Sequence, residues 1–594
     1  MSVTDTALIL KDHQTTAVST IADLIVDYLH QLDIEYVFGV PGGAIEPFYN
    51  ALARSERKGG PKAIVARHES GAAFMADGYA RETGKIGVVC ATTGPGSTNL
   101  ITGVASALAD NVPMLVITAQ TPLPKFGKGA LQDSSCAAID TVGIFRHCTR
   151  FNTLVSHREQ LEHKLISAIM ATQRLPSGPV HISIPSDILF EPCYSKPQVN
   201  PKSLLSDFTL KDKEALKRLC SEIAAVDRIA LFIGDDCDQS AQEIMKLAEM
   251  LNAPFATGPV GKRWVDETHP LYQGVFGFGG HQNAKELFHR EDIELILAVG
   301  ASMGELSTGG WADSLLNDRL IHIDASPENF TRSSMAKLHI CGHIPTIFKR
   351  LNEEIEYALS WGRKWQGVPM IDRSDQNFLG GTFSVKCPEK VTEDISPIQP
   401  QRLFTFLAKE LPKGTRTFIE AGNAWSWATH YYQRPESDGT YRIAMGFGSM
   451  GWAIGAAVGS SIANSKNPTV CLTGDGSYLM SGQEITVAAQ HNLPVVYMVL
   501  NDSVYGMVMH GQRLGKAEQI GFELNKVNYA DMARSMGIDG IVIETIDELE
   551  SLDFEILFSK EGPTLIDIRI DPEATPPMGD RVKGLQQAVV TPGG

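Results

Sequence analysis

The runs YVFGV, GVVCATT, PMLVIT, PVHISIP, RIALFIG, LILAVG, RLIHID, TVCLTG, VVYMVLN and TLIDIRI recur along the whole chain, with amphipathic stretches between them. Short apolar strands alternating with helices build parallel sheets covered on both faces, so the expected fold is α/β, of doubly wound parallel sheets. Two breaks interrupt the rhythm: the Pro-rich EPCYSKPQVNPKS (Glu191 to Ser203), and a stretch from about Trp361 to Pro397 without a sustained apolar face. They predict three domains, 15–190, 205–350 and 396–575. A length of 594 residues with 43% hydrophobic content is enough for several cores.

Many strand ends run into glycine turns that open helices, as in FGVPGGAIEPF, ATTGPGSTNLITG, IEAGNAWSW and LTGDGSYLMSG. In parallel sheets, ligands bind at the carboxyl ends of strands, where helix N-termini favour anions. One such turn usually just reverses the chain. Several in the first and third domains, with the middle one less marked, point to a ligand shared by those two. A net charge of −17 excludes a duplex-binding surface, which needs concentrated Lys and Arg. A phosphorylated ligand must then be held by backbone amides, a helix N-terminus or a metal. Nine scattered cysteines without a C-x-x-C pair fit reduced thiols in the cytoplasm. The N-terminal apolar run Ala7–Leu10 is too brief for a signal peptide, and MGWAIGAAVGSSIA falls short of the ~20 residues of a membrane helix. The expectation is a cytoplasmic protein without membrane or nucleic-acid partners.

The segment GDGSYLMSGQEITVAAQHNLPVVYMVLNDS carries Asp475 and Asn501, 26 residues apart. The pattern places them at the ends of two strands joined by one crossover helix, aimed at one crevice. Hard oxygen donors of this kind suit magnesium, which shares its shell with phosphate oxygens. Taken in isolation, Asp475 would cap a helix and Asn501 would start a turn.

The segment resembles the G-D-G…N signature of thiamine diphosphate enzymes. The resemblance implies magnesium held by Asp475, Asn501 and the Ser503 carbonyl, with Gly476 and Ser477 close to the diphosphate. VARHESGAAFMADGYARETGKIGVVCATTGPGSTN resembles the matching segment of the acetolactate synthase group. It implies that Glu69 is the catalytic acid at the cofactor's aminopyrimidine ring, and that Thr92, Pro95, Gly96 and Asn99 line the pyrimidine side. AGNAW resembles the diphosphate loop, at Gly422, Asn423 and Ala424. MGFGSMGWAIGAAVG resembles the segment that bends the cofactor, with Ser449 beside it and Met450 as the apolar wedge. Tyr505, Gly506 and Met507 complete the implied cofactor contacts. Glu69 and Asp475 are roughly 400 residues apart, and in that family the two meet across a subunit interface, which implies a homodimer or homotetramer.

No two histidines are adjacent in the chain, unlike the pair with which decarboxylases of the family protonate their intermediate. The resemblance thus implies a carboligase: a 2-keto acid donor, pyruvate foremost, is decarboxylated and its acyl-carbanion unit passes to a carbonyl acceptor, giving an acetolactate- or acyloin-type product. The alternative is a decarboxylase or C–C lyase of the same family. Gln132 matches an active-site Gln, but Leu131 replaces the aromatic residue before it; a surface loop amide is the other reading. Two further departures lie on the acceptor side. AVGASMGELSTGGW lacks the family's arginine, and His510-Gly511-Gln512 replaces a Trp-Gln pair. His281 and His510 are read as polar contacts of the cleft or as structural histidines. The middle domain resembles one that holds FAD in some relatives, but the missing arginine weighs against FAD here.

Overall fold

The computed structural model describes residues 19–205, 212–367, 383–435, 437 and 439–579, in two compact units, Met1–Ser206 and Asp207–Gly594. The N-terminal run Ala7–Leu10 and residues 368–382 of the second composition break lie outside the described residues. All ten runs quoted above form strands, and eight further strands join them.

The first unit holds one six-stranded sheet: β1 (Tyr36–Gly39), β2 (Lys62–Val65), β3 (Gly87–Ala91), β4 (Met114–Gln120), β5 (Phe151–Leu154) and β6 (Pro179–Pro185). Its order is β2-β1-β3-β4-β6-β5 and every pairing is parallel. Strands β3, β4 and β6 are buried along their whole length, as central parallel strands must be when helices cover both faces. The chain reverses its direction of winding between β1 and β3, which opens a crevice at their carboxyl ends. The Pro-rich segment after β6 turns back on this unit: Ile21 N donates to the Glu191 carbonyl at 3.0 Å, Cys193 N to that of Ser19 at 2.7 Å, and Gln198 N to the Tyr28 hydroxyl at 3.2 Å.

The second unit contains two sheets. The central one comprises β7 (Ile229–Ile233), β8 (Phe255–Thr257), β9 (Tyr272–Val275), β10 (Leu295–Val299), β11 (Leu320–Asp324) and β12 (Leu338–Cys341). Its order, β12-β11-β10-β7-β8-β9, is that of dinucleotide-binding sheets. The last comprises β13 (Arg416–Ile419), β14 (Tyr441–Arg442), β15 (Thr469–Gly474), β16 (Val495–Asn501), β17 (Asp539–Ile543) and β18 (Thr564–Arg569). Its order, β14-β13-β15-β16-β18-β17, repeats that of the first unit. The single crossover helix expected between β15 and β16 is in fact broken into Asp475–Ser481, a 3₁₀ turn Gly482–Glu484, and Ile485–Gln490. The Ser481-Gly482 pair lowers helix propensity at the break, and the Tyr478 ring lies where a Cβ on Gly482 would be, 2.7 Å from it.

Within this unit the central and last sheets are joined through helix Asn423–Tyr431. Lys262, only 2% exposed, donates to the carbonyls of Ala428 (3.2 Å), Thr429 (3.4 Å) and Tyr432 (2.7 Å) at the end of that helix. It also pairs with buried Glu267 at 3.3 Å. His281 and His430 stack with ring centroids 4.5 Å apart. His281 accepts from Val275 N and contacts the His430 carbonyl, so His281 is a structural histidine and not a cleft contact. All nine cysteines are free. Among the described residues no helix is long and apolar enough to cross a membrane.

Burial lowers Lys262 and raises Glu267, so each keeps its charge only by virtue of the other. Lys262→Ala is expected to cost about 3–5 kcal/mol in denaturant unfolding, because it leaves Glu267 uncompensated. Replacing both residues by Met should recover most of that loss.

Candidate functional site

In the first unit, β2 ends just before His68, whose extended backbone and side chain, accepting from Ser70 N, start helix Glu69–Thr83. Glu69 is its first residue and is buried, and its Oε2 accepts from Asn99 Nδ2 at 2.9 Å. Asn99 closes the short helix Pro95–Asn99, which follows β3 and the turn at Thr92. Ser97 Oγ donates to the Thr92 carbonyl at 2.6 Å, fixing that turn. A Cβ on Gly96 would stand 3.3 Å from Glu69 Oε1, so glycine keeps the carboxylate open on that side. Gln132 is exposed, has a left-handed backbone (φ 56°), and accepts from Thr93 Oγ1 at 3.3 Å. The chain therefore brings Glu69, Thr92, Pro95, Asn99 and Gln132 around one turn. Half-buried Tyr49 was not singled out in the sequence; its ionisation is suppressed chiefly by burial and, to a smaller extent, by Cys90 and Glu69.

In the second unit, β15 and β16 are paired up to Gly474 and Leu500, so Asp475 and Asn501 emerge from adjacent strand ends. Asp475 is not a helix cap. Its Oδ1 accepts from Gly476 N at 2.7 Å and its Oδ2 from Ser503 N at 2.8 Å. Asn501 Nδ2 donates to Asp567 Oδ1 (2.9 Å) and the Val527 carbonyl (3.0 Å). That fixes the amide so that its oxygen faces the Ser503 hydroxyl at 3.4 Å. Ser503 is left-handed (φ 60°), and its carbonyl accepts from Leu524 N at 2.8 Å, with one lone pair remaining. Asp567 is a functional residue that sequence reasoning missed; an aspartate inside the buried run TLIDIRI must have a partner, and that was the available signal.

The surrounding loops are packed tightly. A Cβ on Gly476 would meet the Tyr505 ring at 2.5 Å, and one on Gly506 would collide with the Asn423 side-chain amide. Gly422 has φ 117°, a conformation that L side chains rarely adopt. Asn423 Oδ1 and Ser449 Oγ are buried without hydrogen-bond partners. Ala424 and Ser477 are buried and Met507 packs on the core. Met450 is half-buried. His510 is buried, and burial lowers its pKa.

Charge at this edge is unbalanced. Burial pushes Asp475 up to about 6, with Asp567 adding to the effect. Asp502 is pushed up to about 8 by burial and then by the Asp475 charge. A hard divalent cation would relieve both, and the donors present, carboxylate, carboxamide and carbonyl oxygens, are those magnesium takes. Among the described residues no group of three or more His, Cys, Asp or Glu forms a cation site, so such an ion would depend on amide and backbone oxygens.

Comparison with known proteins agrees with this geometry. The N-terminal TPP binding domain of thiamine pyrophosphate enzymes matches residues 19–140, the central domain residues 216–351, and the C-terminal TPP binding domain residues 420–568. The chain belongs to the thiamine pyrophosphate enzyme family. It is 30% identical to a probable acetolactate synthase large subunit of Methanococcus aeolicus, over 93% of this chain and 92% of that protein. It is also 30% identical to the acetolactate synthase large subunit of Haemophilus influenzae (93% and 94% covered) and 28% identical to the isozyme 1 large subunit of Escherichia coli (93% and 94% covered).

Because their folded pKa values lie above the ordinary 3.8, Asp475 and Asp502 hold protons that the unfolded chain has released. Their stabilising contribution is complete below about pH 4 and is lost as pH rises through about 6 and then about 8. Without divalent cation, the melting temperature is expected to fall across that range; added Mg2+ should raise it most at the alkaline end. Asp475→Asn should flatten both responses.

Proposed function

We propose that the chain is a thiamine diphosphate- and magnesium-dependent carboligase. It would decarboxylate a 2-keto acid, pyruvate foremost, and transfer the acyl unit to a second carbonyl compound. The observation that carries the reading is that each unit holds one half-site of the kind such a cofactor needs. One is a buried glutamate hydrogen-bonded by Asn99; the other is an Asp475–Ser503–Asn501 cluster at neighbouring strand ends. The names of the relatives supply the reaction class.

When bound, thiamine diphosphate supplies the nucleophilic carbon and the electron sink. Glu69 would exchange a proton with the pyrimidine ring, with Asn99 orienting its carboxyl group, while Thr92 and Pro95 shape the pocket. Asp475, Asn501 and the Ser503 carbonyl would hold magnesium. The Gly422, Asn423, Ala424, Gly476, Ser477 and Gly506 segments would meet the diphosphate, flanked by Tyr505 and Met507. Met450 would lie under the bend of the cofactor with Ser449 beside it, and Gln132 would face the acceptor.

Exposed apolar side chains adjoin these residues in sequence: Leu131 beside Gln132, Phe447 before Ser449, Leu479 and Met480 after Ser477, and Val508 after Met507. Large exposed apolar groups near a site mark a surface that is covered in the working assembly. They support a homo-oligomer, dimer or tetramer, in which one copy's Glu69 works with the Asp475 cluster of another. The free cysteines support a cytoplasmic location.

The central sheet is read as structural, without flavin. Asp235, Asp236 and Asp324 crowd its carboxyl edge, where burial and then its two neighbours' charges push Asp236 up to about 6, an environment that disfavours a pyrophosphate. Colourless purified protein with no absorption near 450 nm is the expected outcome, and a flavin spectrum would reverse this reading.

Incubation with pyruvate, magnesium and thiamine diphosphate, with and without an added aldehyde or keto acid, should give an acyloin or 2-hydroxy-3-keto acid by mass spectrometry. Acetaldehyde as the sole product would establish the decarboxylase instead. Glu69→Gln should lower kcat about 10²-fold or more, the usual contribution of a positioned acid.

A further inference from the structure

Glu420 is a fully buried carboxylate that the reading above does not use. It follows the last residue of β13, and its own N–H still donates to the Leu472 carbonyl of β15 at 2.9 Å, so its backbone is fixed by the sheet. One side-chain oxygen, Oε1, accepts from Ala421 N at 2.9 Å; the other, Oε2, accepts from Ala453 N at 3.1 Å. The amides of Gly451 and Trp452 bond to the same carboxyl group. Helix Trp452–Ala463 begins at Gly451, which has no side chain with which to cap it. Its first N–H groups are therefore satisfied by a carboxyl group from outside the helix.

The location gives this contact its meaning. Gly422 and Asn423 lie two and three residues after Glu420, and Ser449 and Met450 precede Gly451, the residue before the helix that it caps. Gly451 is held from the opposite side as well: it has φ 92°, and a Cβ there would collide with the Ser481 hydroxyl. The turn carrying Met450 is thus trapped between Glu420 and Ser481. Three helices of more than two turns start near this corner, Asn423–Tyr431, Trp452–Ala463 and Gly506–Gly515. The N-terminus of the second is already occupied by the Glu420 carboxyl group.

We propose that Glu420 is a positioning residue for thiamine diphosphate: its carboxyl group, accepting from Ala421 N on one side and from the amides that start helix Trp452–Ala463 on the other, ties the Gly422–Ala424 loop to the turn bearing Met450. This rests on the thiamine diphosphate reading of the same site. Loss of the acceptor leaves buried amides unsatisfied and frees the turn, which is expected to weaken cofactor binding about 10- to 100-fold.

The test titrates Mg2+-saturated protein with thiamine diphosphate, by calorimetry and by the fluorescence of Trp425 and Trp452, for wild type, E420Q, M450A and E420Q/M450A. The expected result is E420Q at least about tenfold weaker, with M450A adding little in the E420Q background, since both act through one turn. A Kd for E420Q within about twofold of wild type, or full additivity with M450A, overturns the proposal and leaves Glu420 as an ordinary helix cap. If circular dichroism shows E420Q to be unfolded, E420D, which keeps the charge but draws it back from Ala453, enters the same cycle with the same criteria. Wild-type protein that binds no thiamine diphosphate would instead sink the functional reading itself.

Discussion

Four carboxylates converge at the carboxyl edge of the last sheet, Glu420, Asp475, Asp502 and Asp567, and the local structure is organised by how each is compensated. Asp567 is answered by Asn501, Tyr529 N and Arg569. Glu420 is answered by backbone amides. Asp475 and Asp502 have amides too, but not enough, and both are pushed up by burial. Buried charge is tolerated when it is paired, hydrogen-bonded or bound to a metal. Burial raises Glu420 and Asp567 as well; Asp475, beside Ser503 and Asn501, marks where an external cation fits. In a chain of net charge −17, this edge obtains attraction for a phosphorylated ligand from backbone and ion and not from lysine or arginine.

The sheets were legible in the sequence because parallel strands buried on both faces leave uninterrupted apolar runs, and each quoted run became a strand. The shortest strands were not legible. β14 has two residues and β8 has three, too few to show any period, and they are strands only because a neighbour offers a ladder. The broken crossover after β15 escaped for a related reason: its apolar spacing continues through Ser481-Gly482, and the local geometry that interrupts it is set by Tyr478.

The site divides similarly. Asp475 and Asn501 sit on glycine-flanked strand ends at a distinctive spacing, and Glu69 opens a helix within a long resembling segment, so sequence alone nominated all three. Asp567 in TLIDIRI signalled only that it must have a partner, and Glu420 in FIEAGN signalled nothing; which group each meets is set when Asn501 or Ala453, far along the chain, folds against it. His281 was ambiguous in sequence and became unambiguous once both ring nitrogens were seen to be engaged by backbone.

That histidine has a further consequence. His281 and His430 are stacked face to face and kept neutral, His430 near 3 and His281 well below its ordinary value, chiefly by burial. Each ring spends both nitrogens on backbone, His281 on Val275 N and the His430 carbonyl, His430 on the Gly279 carbonyl and Lys386 N, so protonating either would set a positive charge against its partner and break a bond. The unfolded chain, by contrast, takes up protons on both rings below about pH 6.5. The contact between the central and last sheets is therefore neutral at pH 7, and the stability that it contributes is lost progressively as pH falls below about 6.5.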